Sequence, residues 1–404
     1  MTPVAHRSLR AALQRRLLAA PFDPADLAPD EMRSHLAALL REEHPLADDA
    51  HAARLLDELL DDVGGLGPLE PLLADPTVTE IMVNGPDCVF VERDGRVRPH
   101  GCDLDAAAIV RIAERVVAPL GLRLDRASPM VDARLPDGSR LHAVLPPLAP
   151  DGPCLTIRRF GTRSVPLAAF GLDDAQSEFV STMVRAGWNV VVAGATSAGK
   201  TTCCNALAAA IDPAERIVTI EETAELRLGQ PHVVRLEARP PNAEGAGAVG
   251  VRDLVRAALR MRPDRLVVGE VRGGEAFDML QALNTGHDGS LSTVHANSPS
   301  DALARLETLA LLAGVALPLP AVRSQLAAAV DAILHVERGA GGVRVVSAVA
   351  EVDASRGSRS ARARPLLERR DGHLTAIESP RRSARRPDVD LFEAWERCTP
   401  QRSR

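Results

Sequence analysis

The stretch Gly194-Ala195-Thr196-Ser197-Ala198-Gly199-Lys200-Thr201 sets two glycines, a lysine and a threonine at the spacing GxxxxGK[ST]. That pattern suits phosphate binding. Backbone N–H groups of a tight loop, and of the helix that follows it, cradle phosphate oxygens. The glycines let the backbone approach where a Cβ would block it. Lys200 brings a compact charge to the terminal phosphates, and the Thr201 hydroxyl is placed to meet Mg²⁺. Thr202 continues the cradle into the helix. Of the 48 basic residues only Lys200 is a lysine, the rest being arginine. A planar guanidinium fork fits a cramped loop poorly. Residues 194–202 are therefore expected to hold ATP with Mg²⁺.

Downstream acids and histidines extend this chemistry. RLVVGE, 265–270, is an apolar run ending in Glu270, the candidate to orient or activate an attacking water. It has the form of a Walker B element, with Gly269 where many nucleotide hydrolases carry Asp. RIVTIEETAEL, 216–226, also ends in acids, and Glu221, Glu222 or Glu225 could reach Mg²⁺ directly or through water. Glu221 and Glu222 are the expected pair, with Thr201 as the third donor. His287 and His295 flank another apolar run and read as sensors of the nucleotide state.

These residues need a frame that brings distant segments together. NVVVAG, RIVTIE, HVVRLEA, RLVVGEV and LSTVHAN read as strands. Helical patterns lie at 175–186, 201–211, 251–261, 275–285 and 300–313. The alternation implies a doubly wound α/β domain with a mainly parallel sheet over 166–354. EARPPNAEGAGAVG reads as a flexible loop. Upstream, TEIMVN, CVFVE and CLTIRRF read as strands. Asp94-Gly95 and Asp137-Gly138 mark hairpin turns, and a helix is expected at 104–120. Residues 63–165 thus form a smaller α+β domain. Residues 1–62 carry short Leu/Ala-rich helical patterns and read as a helical extension. Beyond 354 a small strand set leads into a basic tail, thirteen arginines against seven acids over 355–404. Its composition predicts a largely disordered segment.

Composition narrows the function. Aromatic residues make up 2% of the chain and tyrosine is absent, which argues against base-stacking readers of nucleic acid. The six cysteines show no paired spacing for a zinc site or disulfide framework, so a reducing compartment is expected. No run approaches the length of a membrane span. A cytoplasmic protein with at most peripheral membrane contact is expected.

Four motifs in order, GATSAGKTT, RIVTIEETAEL, LRMRPDRLVVGEVRGGEA and TGHDGSLSTVHANSPSDALARLE, resemble the Walker A, Asp box, atypical Walker B and His box of the type II/IV secretion and type IV pilus traffic ATPases. Together with EPLLADPTVTEIMVNGPDCVFVERDGR and PMVDARLPDGSRLHAVLPPLAPDGPCLTIRRF, they look like the CpaF/TadA branch, which powers tight-adherence (Flp) pili. The resemblance covers roughly 64–350. It implies a RecA-like P-loop ATPase domain behind a PAS-like N-terminal α+β domain, assembled as a homohexamer, with ATP between the two domains. It implies an inner-membrane platform protein as partner and no specific nucleic acid. It makes Glu270 the catalytic glutamate and His287 and His295 the His box. Arg134, Arg140, Arg158 and Arg159 match the stretches whose arginines complete the site, the first three being the expected set. Two departures stand out: Glu222 where Asp is usual, and Ser197 where glycine is common. A DNA-contacting motor, as in conjugation, is the alternative, and a nucleotide-binding regulator without turnover is a third reading.

Overall fold

The computed structural model describes residues 29–44, 49–93, 95–159, 165–241, 244–339, 342–353 and 361–399, with Leu9, Ala12, Leu13, Arg15, Arg16 and Leu17. The chain divides into two compact units, Met1–Gly161 and Thr162–Arg404.

In the first unit, α1 (Pro29–Glu43) and α2 (Asp49–Gly64) pack through Leu36, Leu40, Leu55 and Leu59. The helices continue into this unit and do not stand apart as an extension. Leu66 N–H donates to Glu70 at 2.8 Å, and Arg115 donates to the Gly65 carbonyl, tying the end of α2 to the body. Next come α3 (Glu70–Ala74) and β1 (Val78–Asn84), β2 (Val89–Arg93) and β3 (Arg96–His100). Then α4 (Ala106–Val117) precedes β4 (Met130–Arg134), β5 (Arg140–Val144) and β6 (Cys154–Arg158). The strands form one antiparallel sheet in the order β3-β2-β1-β6-β5-β4. Strand alternation sends Ile81, Val83, Leu141 and Ile157 inward, where they meet Ile109 and Ile112 of α4. Asp105 caps α4 by accepting from Ala108 N–H at 2.7 Å. In the β2–β3 hairpin, Asp94 lies outside the described residues and Gly95 takes φ +73°.

The second unit is built on a nine-stranded sheet in the order β15-β14-β13-β12-β7-β11-β10-β8-β9. The strands are β7 (Val190–Gly194), β8 (Ile217–Glu221), β9 (Val233–Glu237), β10 (Arg265–Val271), β11 (Leu291–His295), β12 (Ala332–Arg338), β13 (Arg344–Asp353), β14 (Arg362–Arg370) and β15 (His373–Ala376). β12 through β9 pair in parallel, and the last three strands are antiparallel. β12 was not among the expected strands. Its run AILHVER follows α10 (Leu319–Ala329) with only Asp331 as a break. Asp331 accepts from Asn189 N–H at 2.8 Å, which starts β12 beside β7.

Both faces of the sheet are covered. On one, α5 (Asp174–Arg185) and α6 (Lys200–Ala208) bury Phe179, Met183, Cys203 and Leu207 against Val190, Val192, Leu334 and Val336. On the other, α7 (Val251–Ala258), α8 (Glu275–Leu283), α9 (Pro299–Leu311) and α10 pack on Val191, Ile220, Leu266, Val268 and Ile333. Within the loop expected to be flexible, Arg239 and Val249 exchange both backbone hydrogen bonds at 2.9 Å.

β14 and β15 are the small strand set expected beyond 354. The basic tail after them departs most from expectation: residues 378–399 are folded into this unit, and α11 (Leu391–Glu396) seats Trp395 against Phe179 at a ring separation of 5.2 Å. Arg382 and Arg385 both pair with Asp331, which is 2% exposed, and Arg386 forks onto Glu215 at 2.7 and 2.9 Å. Composition pointed to disorder, but these arginines are consumed by carboxylates brought from elsewhere in the unit, the buried Asp331 and the half-buried Glu215.

Candidate nucleotide site

The site stands at the carboxyl ends of the parallel strands, where open α/β sheets bind ligands. β7 ends at Gly194, flanked in register by His295 and Val336. A Cβ on Gly194 would lie 2.4 Å from the Val336 carbonyl oxygen, so only glycine fits. The chain then turns through Ala195, Thr196, Ser197 and Ala198 into α6. Ser197 takes φ +61° and Gly199 φ +94°. Ser197 therefore adopts the left-handed conformation that its side chain disfavours by about 1 kcal/mol. Gly199 caps α6 without a side-chain bond, which leaves the N–H groups of the first turn, Lys200 to Thr202, for an anion. Lys200 is buried, and its ammonium donates to the Ala195 carbonyl at 3.0 Å across the loop. This curled backbone and held amine fit a polyphosphate.

The acids sort differently from expectation. Thr201 Oγ1 lies 3.3 Å from Glu225 Oε2, so the hydroxyl and this carboxylate would hold Mg²⁺. The ion, when bound, offsets phosphate charge. Glu222 turns outward, 62% exposed, and pairs with Arg272 at 2.7 Å. Glu221 is buried, and its Oε1 accepts from Glu225 N–H at 2.7 Å and Leu226 N–H at 2.9 Å. Its Oε2 has no hydrogen-bond partner among the described residues. Burial, reinforced by the nearby Glu225 and Glu237 and opposed by those two N–H bonds, pushes its carboxyl up to about 7. Glu221 thus shapes the loop that presents Glu225. It also explains Gly269, since a Cβ there would lie 2.6 Å from Glu221 Cγ.

Glu270 sits at the end of β10, partly exposed, and accepts from Arg272 at 2.7 Å. Arg272 thus joins Glu270 to Glu222. The two histidines lie at opposite ends of β11. His295 Nδ1 comes 3.4 Å from the Thr196 hydroxyl, against the phosphate loop. His287 precedes β11 at the amino end, with Nδ1 3.0 Å from the Ala282 carbonyl. The strand between them spans about 13 Å, so the structure does not bring His287 to the loop of its own chain. A third histidine, His335, went unremarked in the sequence because it is embedded in an apolar run. It is buried on β12 with Nδ1 2.6 Å from the Ser347 hydroxyl, and burial lowers its basicity.

In the first unit, three of the expected arginines form a row. Arg134 pairs in register with Arg140, and Arg140 with Arg158, across β4, β5 and β6. Directly opposed residues share a face, so the three arginines leave the sheet on one side, with Glu80 paired to Arg158. Arg159 faces away and donates to the Asp75 and Val78 carbonyls, a structural use.

A parallel sheet with a phosphate loop after its central strand, a glutamate and a histidine closing the neighbouring strands, and a separate antiparallel unit define a two-domain RecA-like P-loop fold. The Legionella pneumophila ATPase DotB shares this fold, with a TM-score of 0.52 at 19% identity over 72% of this chain and 80% of that one. The family model "Type II/IV secretion system protein" matches residues 62–355, and the chain belongs to that family. A putative conjugal transfer protein of Mycobacterium tuberculosis is 45% identical over 75% of this chain and 88% of its own length. The type IV secretion system protein PtlH of Bordetella pertussis is 37% identical over 68% and 90%. These matches place the chain among the type II/IV secretion and conjugation ATPases as a group and do not single out one branch. Among the described residues no helix is long and apolar enough to cross a membrane.

Proposed function

We propose that the protein is a Mg²⁺-dependent ATPase that works as a homohexameric ring and drives a secretion machine through a platform protein of the cytoplasmic membrane. The observation that carries this is the convergence at one sheet end of Lys200, Thr201 with Glu225, Glu270 and His295. Lys200 and the first turn of α6 bind the phosphates. Glu270 orients the attacking water and takes up its proton at a carboxylate oxygen. His295, hydrogen-bonded to Thr196, passes loop position into β11. We assign the Arg134–Arg140–Arg158 row the task of offsetting charge on the transferring phosphoryl group. The four-motif pattern favours a tight-adherence pilus as the machine served.

A second reading, a conjugation motor, draws on the name of the M. tuberculosis relative. It parts from the first in whether DNA stimulates turnover with a steep salt dependence. The test of the shared claim is Glu270→Gln, which should bind ATP with Mg²⁺ and lower kcat by about 10²–10⁴-fold. Wild-type turnover in that variant removes Glu270 from the chemistry, and loss of ATP binding moves it to a structural role.

A further inference from the structure

The phosphate loop has a second cationic wall that its motif does not include. β12 and β13 form a hairpin closed by Gly339 N–H on the Val343 carbonyl at 2.7 Å. In that hairpin Arg338 stands directly opposite Arg344. Alternation along β12 puts Leu334, Val336 and Arg338 on one face. Leu334 and Val336 pack in the same core as Cys203 and Leu207 of α6, so Arg338 lies on the α6 side of the sheet. Val346 of β13 is in that core too, which puts Arg344, two residues earlier, on the same side. Both arginines occupy the carboxyl end of β12 and the paired start of β13, level with Gly194, whose register partner is Val336.

Arg344 reaches the loop itself. A Cβ at Gly199 would lie 2.7 Å from Arg344 Cδ, 3.4 Å from its Nε and 3.5 Å from Phe170 Cε1. The stem of Arg344 therefore rests on the backbone that turns into α6, where N–H groups meet α- and β-phosphates. Arginine suits the position because its fork meets phosphate oxygens in bidentate fashion.

We propose that Arg344, with Arg338 beside it, contacts the α- and β-phosphates of the bound nucleoside di- or triphosphate. The proposal rests on the nucleotide-site reading. Because ADP and ATP share these phosphates, the pair sets affinity for both, whereas a γ-phosphate contact would favour ATP alone.

The test is calorimetric titration of the full chain with ADP and with a non-hydrolysable ATP analogue, in Mg²⁺. Arg344→Ala should weaken both about tenfold or more, the loss of one charge-assisted hydrogen bond. Arg344→Met keeps the stem over Gly199 and removes the fork, so it should weaken both equally well, and Arg344→Lys should recover part of the loss. Arg338→Ala should weaken both by a smaller factor. Melting without nucleotide reports folding, and if Arg344→Ala does not fold, Arg344→Met decides alone. Wild-type ADP affinity in folded Arg344→Met reduces the contact to packing and overturns the proposal. A loss confined to the ATP analogue overturns it as well. Lys200→Ala in the same titration separates the failures. If wild type binds and Lys200→Ala does not, an unaffected Arg344→Met sinks this proposal alone. If wild type binds neither ligand, the nucleotide-site reading falls first.

Discussion

Glu221→Gln should make the second unit more stable at alkaline pH and flatten its pH dependence. Glu221 is 3% exposed, and burial lifts its carboxyl from 4.5 to about 7. Between those two values the folded chain holds a proton that the unfolded chain has released. Stability therefore falls as pH rises through that window, and the full loss above it is about 3 kcal/mol. Part of the loss is complete by pH 5, and about 2–3 kcal/mol remains to be lost between pH 5 and pH 8. Glutamine keeps an oxygen to accept from Glu225 and Leu226 N–H and carries no charge at any pH. The assay is urea unfolding of both proteins at pH 5 and pH 8, followed by tryptophan fluorescence. The two tryptophans, Trp188 and Trp395, both lie in the second unit, so the signal reports that unit. The difference between variant and wild type should grow by about 2–3 kcal/mol from pH 5 to pH 8. An unchanged difference would refute the reasoning, because Glu221 would then ionise inside the fold without penalty.

Ser197→Gly should raise stability by about 0.5 kcal/mol, the relief of left-handed strain less the added freedom of the unfolded glycine; a decrease in the denaturation midpoint contradicts this. Asp331→Ala should destabilise the second unit by about 3–5 kcal/mol, since Arg382 and Arg385 lose a buried partner; a change below about 1 kcal/mol in urea unfolding would show that Asp331 does not anchor the C-terminal segment. His295→Ala should lower kcat with little change in melting temperature, and His287→Ala should do the reverse, read by steady-state turnover and calorimetry; matching effects on turnover would bring His287 back to the phosphates through another chain.

The parts legible in the sequence are those fixed by short spacing. The phosphate loop is eight consecutive residues between a strand and a helix, and its geometry follows from local rules. The arginine row was half legible: Asp137-Gly138 turns β4 into β5 and sets Arg134 opposite Arg140, but joining Arg158 required the pairing of β6. Glu221 and Glu222 show how one residue decides a role. They are neighbours at a strand end, so one faces the core and the other water, and nothing local says which. Glu225 reached Thr201 because the buried Glu221 caps the loop that carries it. The C-terminal strands are legible, but the fold of the tail beyond them is not, because its partners are remote, Arg386 and Glu215 lying 171 residues apart. Composition registers the charges and is blind to such pairs. β12 was missed because Asp331 alone separates an apolar helix from an apolar strand.

The lone lysine has a consequence for chemical labelling. An amine-directed reagent meets a single side-chain target in the chain, Lys200, and meets it held across the phosphate loop on the Ala195 carbonyl. Acylation of that amine and occupation by a polyphosphate exclude one another. The extent of modification at Lys200, measured on the peptide that carries it, therefore counts empty sites, and by difference filled ones, without a fluorophore or an engineered residue.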